Sequence, residues 1–155
     1  MLLPISDEPN PKEFRPWVTY GLIALNVLIF LFWTWPLSGQ AVDAGSQGLA
    51  EYLTWLDQQV GLVVEPYTMP DLIEEIGIGE VSRGLEENGL LITGWDLVVF
   101  QHGYRPSDPQ FMDLFTSMFM HAGFMHLLGN MVFLWVYGDN VEHRLGRIGF
   151  LVSYL

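Results

Sequence analysis

Two long runs without a charged residue constrain this chain more than anything else in it. Trp17 to Trp35 is 19 residues with no Asp, Glu, Lys or Arg, and Leu114 to Gly138 is 25. At 1.5 Å per helical residue the shorter run spans about 28 Å, close to the roughly 30 Å of a bilayer's hydrocarbon core. Half of all residues are hydrophobic. Their concentration in these runs, rather than an even spread, predicts membrane-spanning helices instead of one soluble core. The first run does not read as a secretory signal. The lead before it contains Asp7, Glu8 and prolines, has no basic start, and is followed by no clean small-residue cleavage site. There is no cysteine, which excludes disulfides and thiolate metal sites.

The net charge of −12 is local. Residues 37–113 hold 13 acids against Arg83 and Arg105, a balance of −11, whereas Lys12, Arg15, Arg144 and Arg147 flank the outer ends of the two runs. By the positive-inside tendency the N-terminus and the stretch after Tyr137 are cytoplasmic, with 37–113 on the far side. An acidic balance of this size argues against nucleic-acid binding. The expected order is a Pro-rich cytoplasmic lead (1–16), a first transmembrane helix (17–36), and a long acidic extracytoplasmic loop (37–113). The end of that loop and a second transmembrane helix (114–138), a cytoplasmic turn (139–147) and a third apolar segment from Ile148 complete it. Within the acidic segment Leu49, Tyr52, Leu53, Leu56 and Val60 recur at helical spacing, and Pro70 opens a second amphipathic helix with acids in its first turn. Glu80 to Asn88 predicts another turn or two of helix, and Leu97 to Phe100 is an apolar run of ambiguous type. This segment is expected to be a solvated or interface-resting surface rather than a binding site.

The residues that carry chemistry are His121-Ala-Gly-Phe-Met-His126-Leu-Leu-Gly-Asn130. At about 100° per residue His126 and Asn130 project about 40° apart on one helix face, which Phe133 and Tyr137 continue as packing residues. Unsatisfied polar groups against lipid cost several kcal/mol, so this face points at protein or a water-filled cavity. An imidazole and an amide side by side supply two donors to a developing negative charge. The plainer alternative is a hydrogen bond to a neighbouring helix, contributing about 1 kcal/mol. A metal site is not expected: on a regular helix His121 and His126 lie about 140° apart, and no His-Glu-x-x-His motif is present. The serines are Ser6, Ser38, Ser46, Ser82, Ser107, Ser117 and Ser153, none in a Gly-x-Ser-Gly setting. Ser117, one turn before His121, is the one position that suggests a dyad, and such a spacing is common by chance.

Read through to Gly146, the text FTSMFMHAGFMHLLGNMVFLWVYGDNVEHRLG resembles the second transmembrane segment of the rhomboid family of intramembrane serine proteases. The shared elements are His-x4-His-x3-Asn and then Glu-x-Arg, here Glu142-His143-Arg144. Pro16 to Trp33, with Asn26 near its middle, looks like the family's first transmembrane helix. The resemblance implies an all-α, multi-pass transmembrane helical bundle embedded in the bilayer, expected in a bacterial plasma membrane. It implies a serine endopeptidase that cleaves transmembrane segments of substrate proteins without a metal or organic cofactor. It assigns His126 and Asn130 to oxyanion stabilisation, and gives His121, Glu142 and Arg144 structural roles, the last two as an ion pair or turn lock. The family's nucleophilic serine and general-base histidine lie on later spans and are absent from these 155 residues. The eight residues from Ile148 to Leu155 are too short to span a bilayer, so the chain reads as an N-terminal portion that is inactive by itself. A non-catalytic relative that binds transmembrane helices, and a plain two-to-three-span scaffold, are the other readings the sequence leaves open.

Overall fold

The computed structural model describes residues 13–155, so the first twelve residues of the Pro-rich lead lie outside it. Among the described residues the chain forms seven helices, and its β-structure is one isolated bridge, Ala41 to Thr93. The helices are α1 (Trp17–Ser38), α2 (Leu49–Val60), α3 (Met69–Ile76), α4 (Ile78–Glu87), α5 (Gly94–His102), α6 (Phe111–Ser117) and α7 (Phe124–Tyr154). They divide into two compact units, one holding Met118–Leu155 with the chain up to Trp35, the other Pro36–Ser117.

In the first unit α1 is apolar all round, and Leu25, Leu28, Leu31, Phe32 and Trp33 stand exposed along it. A helix of this kind belongs in apolar surroundings, and among the described residues it is the one long and apolar enough to cross a membrane. Over Phe30–Thr34 it widens into a π-helical turn. Its start has no capping side chain of its own, because Pro16 precedes it. The free N–H groups of the first turn are instead met from α7. Val18 and Thr19 donate their backbone N–H groups to the Glu142 carboxylate at 3.1 and 2.8 Å, and the Thr19 hydroxyl donates to it at 2.8 Å. Glu142 is fully buried. Three donors and the positive end of a helix dipole offset the desolvation of that charge. The expected Glu142–Arg144 pair does not form: the carboxylate is committed to α1, and Arg144 is exposed.

One turn before Glu142, Gly138 lets the two helices touch. A Cβ there would sit 2.9 Å from Thr19 Cγ2 and 3.1 Å from Leu134 Cδ1. Leu22, Leu134 and Phe150 form the apolar contact beyond this point. Asn26, fully buried in α1, donates to the Leu22 carbonyl at 2.8 Å and to the Tyr154 hydroxyl at 3.3 Å.

The uncharged run Leu114 to Gly138 is not one helix. α6 ends at Ser117, residues 118–123 are non-helical, and α7 starts at Phe124 after an extended Gly123 (φ 177°, ψ 171°). Where the sequence suggested a turn over 139–147, helical structure continues to Leu145. Gly146, at φ 72° and ψ 166°, then bends the chain into a short second arm. Only a residue without a Cβ takes that φ readily, so the bend sits where the glycine is.

The acidic segment is not a loose loop. Helices α2 to α5 enclose a core of their own, built on Leu49, Leu53, Met69, Val81, Leu97 and Phe100. The predicted helix at Leu49–Val60 is present, the one from Pro70 starts at Met69, the segment from Glu80 belongs to α4, and the ambiguous Leu97–Phe100 run lies in α5. Two capping boxes set the starts of α3 and α5. The Thr68 hydroxyl accepts from Asp71 N–H while the Asp71 carboxylate accepts from Thr68 N–H, and Thr93 with Asp96 repeats the arrangement.

Replacing Thr93 with Ala removes one such box and is expected to lower the stability of the Pro36–Ser117 unit by about 1 kcal/mol, read from amide exchange across α5. Unchanged exchange there would show the box to be idle. Gly138→Val drives a side chain into Thr19 and is expected to lower the thermal midpoint of the detergent-solubilised chain; an unaltered midpoint would show that the helices do not meet at this point.

Candidate functional site

The site is built on the first turns of α7. His126 and Asn130, four residues apart on that helix, lie on one face. Both are exposed, and neither makes a hydrogen bond among the described residues. Phe133 and Tyr137 follow on the same face with ring centroids 4.6 Å apart, and both are exposed rather than packed into the helix pair.

His121 is placed differently, in the non-helical lead-in ahead of α7, and is 3% exposed. Its Nδ1 lies 3.2 Å from the Phe119 carbonyl oxygen. A carbonyl only accepts, so Nδ1 carries the proton and Nε2 keeps its lone pair. The two histidine rings approach with centroids 5.3 Å apart and planes inclined by 55°.

A cleft of about 370 Å³ runs along this part of the helix, lined by His121, Asn130, Phe133, Tyr137, Ser153 and Tyr154 among others. The structure thus brings His121 and Asn130 to one cavity and His126 against His121. Glu142 and Arg144 lie farther along α7, Glu142 bonded to α1 and Arg144 exposed. The geometry offers hydrogen-bond donors without an activated nucleophile. Ser117 donates its hydroxyl to the Leu114 carbonyl at 3.1 Å, and Ser153, although it lines the cleft, donates to the Phe150 carbonyl at 2.8 Å. No Ser–His hydrogen bond forms among the described residues.

Sequence reasoning missed Thr19 and Tyr154, the partners of Glu142 and Asn26. A signal for the first was present: Gly138 stands one helical turn before a carboxylate, which marks a close crossing that ends on a buried charge.

Residues 108–155 match the Rhomboid domain family, and this match contains the whole His121–Asn130 segment together with Glu142 and Arg144. Over 143 residues, 92% of the chain, the sequence is 25% identical to RHOMBOID-like protein 6, mitochondrial, of Arabidopsis thaliana. The chain spans 41% of that relative's length. The relative's name places that protein in mitochondria, which lends no support to a bacterial plasma membrane here. No solved structure matches the chain.

The contrast in exposure gives a direct check on the site. In mild detergent at pH 7, diethylpyrocarbonate is expected to modify His126 well before His121, followed by peptide mass spectrometry. Equal rates at the two rings would contradict the placement of His121.

Proposed function

We propose that this is a rhomboid-family chain whose α7 face supplies the oxyanion-stabilising wall of an intramembrane serine endopeptidase acting on transmembrane segments. The observation that carries the reading is an exposed imidazole and amide, His126 and Asn130, on one face of α7 and without a hydrogen-bond partner among the described residues. Two donors aimed at one place are what a tetrahedral intermediate's oxyanion requires, and each such donor contributes about 2.7–4 kcal/mol to the transition state in serine hydrolases. The same two groups against lipid would be left unsatisfied at a cost of several kcal/mol.

In this reading α1 and α7 belong to a multi-pass helical bundle. The basic residues Arg15, Arg144 and Arg147 mark cytoplasmic ends of the spans, and the acidic segment 37–113 is extracytoplasmic. The exposed leucines and aromatics of α1 face lipid or further helices. In this reading the donor pair serves an attacking serine and a base histidine, and none of the seven serines here stands in a Gly-x-Ser-Gly setting. Glu142 is a positioning residue: it fixes α7 against α1 and through that the direction of the His126–Asn130 face.

The test is cleavage of a membrane-anchored reporter by the full open reading frame. Replacing His126 or Asn130 with Ala is expected to lower kcat by about 10²–10³ each, with the substrate helix still bound. Normal turnover in the double variant would remove the oxyanion role. A full-length protein that captures substrate helices without cutting them would favour the non-catalytic reading instead.

A further inference from the structure

On a regular helix the two imidazoles would project about 140° apart, too far round to share one ion. The chain is non-helical over 118–123, and this is what lets His121 fold back against His126. An ion bound about 2.0–2.1 Å from an imidazole nitrogen lies about 3.2 Å from that ring's centroid, so a tetrahedral angle at the ion separates two centroids by about 5.2 Å. The observed separation is 5.3 Å. One of the two rings is also already oriented by its other nitrogen. Metal-binding histidines characteristically donate their other ring N–H to a backbone carbonyl or carboxylate, and His121 Nδ1 meets the Phe119 carbonyl at 3.2 Å, leaving Nε2 as the ligand atom. His126 has no competing partner among the described residues and is exposed, while His121 opens onto the 370 Å³ cleft, which gives an ion a way in.

We propose that His121 and His126 form a two-imidazole site for a first-row dication of the Zn²⁺ or Cu²⁺ class, which withdraws His126 from the oxyanion wall when occupied. No group of three or more His, Cys, Asp or Glu converges among the described residues, so water completes the coordination. Such an open site binds reversibly, as an inhibitory device does, rather than as a structural zinc does. Imidazole ligands suit Zn²⁺ and Cu²⁺, with Cu²⁺ the tighter of the two. The inhibitory part rests on the oxyanion role proposed above; the binding part does not.

Cu²⁺ is the probe, added to the 155-residue chain in detergent at pH 7.5 and read by electron paramagnetic resonance. One equivalent is expected to bind with superhyperfine splitting from two imidazole nitrogens, to be displaced by excess Zn²⁺, and to be released at pH 5 with the helical circular dichroism unchanged. His126→Gln, at an exposed position, and separately His121→Gln are each expected to abolish the two-nitrogen signal. His102→Gln combined with His143→Gln is expected to leave it intact. A signal that survives His126→Gln, or that is lost in the His102/His143 double variant, overturns the site. On the full-length protein, Zn²⁺ is expected to suppress reporter cleavage at least tenfold, reversed by EDTA. Two-nitrogen binding without loss of cleavage would refute the inhibitory assignment and the oxyanion role of His126 together, while the metal site itself would stand.

Discussion

The arrangement of the apolar unit depends on one buried carboxylate. Helix α1 begins after a proline with no capping side chain, so its first-turn N–H groups need an acceptor, and in an apolar setting water is not at hand to provide one. Glu142 of α7 takes two of them and the Thr19 hydroxyl as well. A charge at 0% exposure is tolerable only with such a set of donors. The requirement works in both directions: α1 needs an anion at its N-terminus, and the anion needs α1. Gly138, one turn away, allows the backbones close enough for the bonds to form.

The direction of the functional face follows from that contact. Once Gly138 and Glu142 are turned toward α1, the helical repeat fixes where the other residues of α7 point. Leu127 and Leu134 are buried, while His126, Asn130, Phe133 and Tyr137 stand exposed. The donor pair is therefore held by a contact about three to four turns distant. The non-helical lead-in at 118–123 adds a second histidine to the same neighbourhood by a route that helical periodicity does not describe.

How much of this was legible in the sequence depends on the range of the interaction concerned. The helices at Leu49–Val60 and after Pro70 were readable because apolar spacing and first-turn acids are local signals, and the His126–Asn130 face was readable from a four-residue spacing. Glu142 was recognisable as a motif residue, but its partner Thr19 lies 123 positions away in sequence, and nothing local distinguishes a tertiary helix cap from a surface ion pair. The continuous uncharged run Leu114–Gly138 hid a boundary, since hydropathy does not report where Gly123 turns extended and lets a helix begin. The acidic segment misled in the opposite way. Its charges dominate the composition, whereas its fold rests on the apolar residues between them and on two Thr/Asp capping boxes spaced 25 residues apart.

The most direct measurement of the central claim, that Glu142 joins α7 to the start of α1 through Thr19, is a double-mutant cycle on Thr19→Val and Glu142→Gln. Unfolding free energies would be measured for the detergent-solubilised chain. A hydrogen bond to a charged group contributes about 1.5–3 kcal/mol, and residues in direct contact show interaction energies of this order. A coupling of about 1.5 kcal/mol or more is the result predicted; additive effects, within about 0.3–0.5 kcal/mol, would contradict it.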